Sequence, residues 1–260
     1  MEAFQAIFNT ALIVFIITTM LSAGLRTTFD QIAAVFTRWP LVLLVVLTAF
    51  VVRPLLGWGV AELFGLAAPA FIAMVLLWAC PGAPFGARLV MNAKADLQTG
   101  AVLQVVMASI GSITFAPTAN ILIQAANLGS DVSLPVGDLI RTVAFLQLLP
   151  FAVGVVMRHW TSSTALQWNS TVTKISNLTF LGVLAGALLG SWKTIVGLVG
   201  SSTLLAAFVA SVAMLGVGYF VAIGDRATRQ TTSLLQPCSN AGPAFAAVAI
   251  AFDSDPDILG

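Results

Sequence analysis

The chain has 260 residues, 59% of them hydrophobic and 8% charged, with a net charge of +1. Soluble domains carry roughly 25% charged residues, so this is not an ordinary soluble protein. Two cysteines and the lack of any Lys/Arg run also exclude a disulfide scaffold and a nucleic-acid binder.

About 20 apolar residues cross a bilayer as a helix. Eight stretches qualify, at 3–25, 40–63, 67–91, 97–125, 136–157, 175–189, 195–223 and 231–252. Period-two alternation, which a β-barrel requires, does not recur. The predicted class is therefore an all-α polytopic membrane bundle, one transmembrane domain over 1–260. The first stretch has only Glu2 ahead of it and lacks a basic start, so it reads as a span rather than a signal peptide.

Arg26, Arg38, Arg88, Lys94, Arg158, Lys174, Arg226 and Arg229 lie in or beside the connections after spans one, three, five and seven. Arg141 and Lys193 lie on the opposite side. Cations mark the cytoplasmic face, which predicts a plasma (inner) membrane protein with both ends of this chain external.

Two spans are interrupted at mid-depth. The third contains Cys80-Pro81-Gly82-Ala83-Pro84-Phe85-Gly86, and the eighth contains Gln236-Pro237-Cys238-Ser239-Asn240-Ala241-Gly242-Pro243. Proline inside a helix removes a backbone hydrogen bond and costs about 3 kcal/mol or more. Unpaired backbone is tolerated at membrane depth only inside protein or beside a wet cavity. Paired interruptions in two halves of a chain point to the central site of a transporter. Pro54, Pro117 and Pro150 stand alone and read as ordinary kinks.

Arg53 is a cation inside a span, where insertion costs about 2.5–3.5 kcal/mol, and such a residue defaults to a functional hypothesis. Three readings stay open: a fixed positive charge at the breaks, an outward snorkel, or a pair with Glu62. Gln147 either lines a cavity or bonds a neighbouring backbone. His159 reads as a solvated edge residue. Asp96 reads as a helix N-cap, and Gly182, Gly186 and Gly190 as a close-packing stripe. A single histidine and no acidic pair within the spans argue against an intramembrane enzyme, and no Walker sequence supports ATP-driven transport.

Leu77-Trp78-Ala79-Cys80-Pro81-Gly82-Ala83 resembles the Cys-Pro-Gly-Gly crossover segment of the bile acid:sodium symporter family. Thr28-Phe29-Asp30, Arg53-Pro54 and Lys94-Ala95-Asp96 agree with its flanking pattern, and Thr232 to Asn240 resembles its second crossover. The resemblance implies an inverted-repeat transporter fold of ten helices, with a panel, a core, and two broken crossing helices. This chain's spans would be the second to the ninth, with 40–125 and 195–252 core-like and the rest panel-like. The first and last helices of the family then fall outside this chain, and the resemblance implies a fragment or a truncated chain.

Carried over residue by residue, the family's Ser-Asn after the first break falls on Gly86-Ala87. Its hydroxyl positions fall on Gly100 and Gln104, its bridging glutamate on Gln236, and its mid-helix glutamine on Ala49. The resemblance thus implies a substrate- or ion-binding set of Pro81, Gly82, Gly86, Gln104, Gln236, Ser239, Asn240 and Arg53. With the glutamate gone, sodium is left a weak site at Gln104, Gln236 and Asn240, and Arg53 would supply the charge of a second sodium. No other cofactor is implied.

The function so implied is secondary transport of a small organic anion by alternating access, in the lipid bilayer, with sodium coupling weakened. The alternative is a non-transporting receptor or degenerate paralogue of the same fold. The residues leave the anion and the oligomeric state open, and no nucleic acid is expected.

Overall fold

The computed structural model describes residues 2–83, 85–86, 89–90, 93–126, 137, 141, 144–190, 192–240, 243–244 and 247–248. Regular structure among the described residues is helical, as the composition requires. Helix α1 (Glu2–Arg26) is followed by α2 (Phe29–Phe36), whose start is fixed by a capping box between Thr28 and Gln31. Helices α3 (Trp39–Leu47) and α4 (Arg53–Leu63) are joined by a π-turn at Thr48–Val52 and together make one span. Pro54 has no N–H to give, and the wider turn accommodates the gap just ahead of it. The same device recurs at Ala144–Leu148, ahead of Pro150 in α7 (Leu149–Trp160).

Between them lie α5 (Ala68–Trp78) and α6 (Leu97–Ala125). The latter starts on Asp96, whose carboxylate accepts from Thr99 N at 3.0 Å, and bends by 60° around Gly111–Ile113, one turn before Pro117. Helices α8 (Ser162–Gly190), α9 (Trp192–Leu198), α10 (Ser202–Val221) and α11 (Arg226–Leu235) complete the described chain.

Among the described residues four uninterrupted stretches, Ala6–Arg26, Trp39–Leu63, Ser162–Gly190 and Ser202–Val221, are long and apolar enough to cross a membrane, and bent α6 makes a fifth. The expected spans differ from these at their edges. The sixth, expected at 175–189, begins at Ser162, because its polar first half pairs with α1 instead of lipid. The seventh, expected at 195–223, is divided at Gly200 (φ 83), after which Ser201 caps α10. The end of the eighth lies outside the described residues, as does most of 136–143.

Two packing groups result. In one, α1 lies along α7 and α8. Gly24 and Gly154 face each other there, and a Cβ on either would overlap the other helix's backbone. In the other, α3 to α6, α10 and α11 surround an apolar core that includes Phe71, Val75, Trp78, Phe115 and Met214. Close approach at Gly182 is not found: open space surrounds it, and the small-residue contacts fall at Gly24, Gly154 and Gly218. Cys80 and Cys238 are both free thiols.

Candidate functional site

Helix α5 stops at Trp78, three residues before Pro81, whose nitrogen cannot donate to the Leu77 carbonyl as a continuing helix would. Gly82 then adopts φ +89, and a Cβ there would run into the backbone of Ala108 on α6. Helix α11 stops at Leu235 for the same reason, ahead of Pro237. The two broken segments meet. Pro81 and Ser239 form an antiparallel bridge, and Asn240 N donates to Cys80 O at 2.8 Å. Gly86 packs against Leu235 and Cys238. A chain break in each half thus supplies the backbone partners that the other lacks.

Arg53 lies between them with none of its surface exposed. Its guanidinium donates to Trp78 O at 2.7 Å, Leu77 O at 3.1 Å and Ser239 Oγ at 2.5 Å. The Trp78 ring covers it at 5.3 Å, within cation–π range. A snorkel is ruled out by this burial; both terminal nitrogens donate to the breaks rather than to Glu62, while Nε is buried with no hydrogen-bond partner. Among the described residues no carboxylate pairs with Arg53.

The NH2 groups of the three amides expected to share one ion each turn to a different partner. Gln104 Nε2 donates to Gly82 O at 3.4 Å, Gln236 Nε2 to Val45 O at 3.0 Å, and Asn240 Nδ2 to Gln147 Oε1 at 2.8 Å. Gln236 Oε1 is buried with no hydrogen-bond partner. Gln147, read in the sequence as lining a cavity or bonding a backbone group, accepts through its Oε1 from Asn240 of the second break. Among the described residues no cluster of His, Cys, Asp or Glu suits a metal ion.

Beside the first break a cavity of about 540 Å³ opens between the two packing groups. One wall is α6 with Phe85, Ala101, Gln104 and Val105; the other is α1 and α8 with Phe15, Thr19, Ser22, Arg26, Thr173, Ser176 and Phe180. Arg26 is the one charged residue among the described residues of this lining. A polar ladder orders the second wall. Thr19 and Ser176 share a hydrogen bond of 2.6 Å, and Ser22 and Thr173 one of 2.8 Å. The neighbours of Asn169 are satisfied together when its amide NH2 faces the Ser22 hydroxyl (2.8 Å) and its oxygen accepts from Arg26 Nε (2.8 Å).

Of the residues singled out in the sequence, only Gln104 lines this cavity; Arg53, Pro81, Gly82, Gly86, Gln236, Ser239 and Asn240 build the crossing beside it. The ladder was missed. Its signal was available, since Thr19, Ser22 and Arg26, like Asn169, Thr173 and Ser176, recur at three- and four-residue steps and mark one face of each helix.

The pattern of the Sodium Bile acid symporter family matches residues 13–191, from α1 through the first break to the end of α8. The chain belongs to that family. Within it, a protein of Arabidopsis thaliana named a probable sodium/metabolite cotransporter, BASS3, chloroplastic, is 29% identical over 142 residues. The match takes in 54% of this chain and 32% of that protein, so the chain spans about a third of the relative's length. Membership in the Sodium Bile acid symporter family makes the chain an integral membrane protein of a transporter family. The second break, at Gln236–Asn240, lies beyond the matched stretch.

Proposed function

We propose that this chain forms the translocation pathway of a secondary transporter that moves a small organic anion by alternating access. The observation that carries the reading is the cavity between the two packing groups, which holds one cation, Arg26, and no acid among its described lining. An anion entering it meets a guanidinium oriented by Asn169 and hydroxyls already aligned along α1 and α8. Charge-assisted hydrogen bonds of this kind are the strong ones. Phe15, Phe85 and Phe180 supply the apolar remainder that a carbon skeleton fits. Alternating access is supported by the cavity's place at the boundary of two groups, one of which contains both helix breaks.

The cation-bearing connections gather at one end. Arg38 donates to Thr99 and Thr228, each at 3.1 Å, and lies 3.6 Å from Asp96. Phe29 meets His159 at 5.2 Å, drawing a further connection to that end. Thr27, Gln31, Leu97 and Gln98 of the same end line the cavity mouth, which supports a state open to the cytoplasm. Sodium enters as a co-substrate on the strength of the family's and the relative's names.

Uptake by the full-length protein in proteoliposomes tests this, with a panel of small mono- and dicarboxylates and with sodium or choline outside. At least one acid accumulates, and Arg26→Gln lowers its uptake by about ten- to a hundredfold, the worth of a charge-assisted hydrogen bond. Unimpaired uptake by the variant, or none of the panel moving with wild-type protein, refutes the reading.

A further inference from the structure

A buried guanidinium is a costly way to cap a helix, since a neutral side chain can satisfy the same carbonyls. What a neutral donor cannot supply is charge. Helix α5 ends at Trp78 and α11 ends at Leu235, so two C-termini run into the crossing, one on each side of the Pro81–Ser239 bridge. Each helix C-terminus carries about half a unit of negative charge, so two together amount to about one elementary charge. A single cation balances them, and the chain carries that cation on its own backbone. Arg53 reaches carbonyls of the first break and the hydroxyl of the second at once. A cap for α5 alone would have no need of Ser239.

We infer that Arg53 is a positioning residue that acts as a tethered cation, holding the two helix breaks together by its charge so that their crossing needs no dissolved cation. The inference rests on the geometry of the breaks and not on the transport reading. It concerns the breaks alone and leaves open whether an ion crosses with substrate elsewhere.

The chain's two cysteines report on it, because Cys80 lies in one break and Cys238 in the other. Full-length protein in liposomes is treated with N-ethylmaleimide, using C238A and C80A backgrounds to read each thiol separately. In wild-type protein both thiols stay protected to the same degree in sodium and in choline. Arg53→Gln, which keeps a donor but loses the charge, raises labelling of both by at least about tenfold, the least that losing one charge-assisted bond releases. Arg53→Lys, which keeps the charge, restores most of the protection. Ser239→Ala, a mild change that keeps the fold testable if the arginine variants misfold, exposes Cys238 while Cys80 stays protected. Three results would overturn the inference: wild-type protection that weakens when choline replaces sodium, R53Q and R53K labelling alike, or S239A leaving Cys238 unchanged.

Discussion

The two helix breaks solve one problem by different means. At the first, after Trp78, the freed carbonyls are served by a full charge brought from α4. At the second, after Leu235, the polar groups are neutral: Gln236 turns to Val45 and Asn240 to Gln147. The first break also has no spare room, since Gly82 is wedged against Ala108. Each break leaves one polar atom buried without a partner, Arg53 Nε at the first and Gln236 Oε1 at the second. A charged joint thus faces a neutral one. The difference teaches that Pro/Gly clusters alike in sequence need not be equally constrained, because the donors that complete them come from other helices.

Three substitutions sharpen or break that contrast, each read by unfolding titration in mixed micelles. The largest effect is expected at Gly82→Ala. Left-handed backbone costs a side-chain-bearing residue about 1–2 kcal/mol and overpacking adds about 1–3 kcal/mol, so a loss of about 2–5 kcal/mol follows. A loss below that range would show the first break to have room for a side chain at Gly82. Gln236→Leu should cost only about 1 kcal/mol, because orphaning the Val45 carbonyl is offset by removing an oxygen that was buried unpaired. A larger loss would mean that the oxygen has a partner that matters.

The smallest effect is at Asp225→Ala, outside the membrane at the start of α11. Thr228 N donates to the Asp225 carboxylate at 2.8 Å. This backbone bond first, then the Thr228 hydroxyl, holds the carboxyl below the usual range. A carboxyl so lowered stabilises the fold above the pKa of its unfolded state and loses that contribution as pH falls through its folded value. The stability gap between wild type and variant should therefore close in acid, below the ordinary carboxylate range. A gap independent of pH would remove the charge from the account.

Apolar runs made the spans and the all-α class legible, because lipid imposes a simple rule on length. The breaks were legible too, since proline's missing N–H is a local property. Partners were harder. Arg53 stood out as a buried cation, but its choice of Leu77, Trp78 and Ser239 depends on helices brought together from distant sequence. The first half of α8 escaped notice because Asn169 and Thr173 look like surface residues until Ser22 and Arg26 of α1 face them. The partners of the amide trio were out of reach for the same reason: Gln104, Gln236 and Asn240 all border the breaks, and each NH2 turns to a different neighbour.

The facing glycines of α1 and α7 have a mechanical consequence. Where Gly24 meets Gly154 the backbones touch without intervening side chains, so no rotamer can yield. Such a joint is stiff, and the helices it fastens turn as a single lever. In the proposed alternating access, relative motion would then fall at the opposite boundary, along α6, where the cavity separates the two groups.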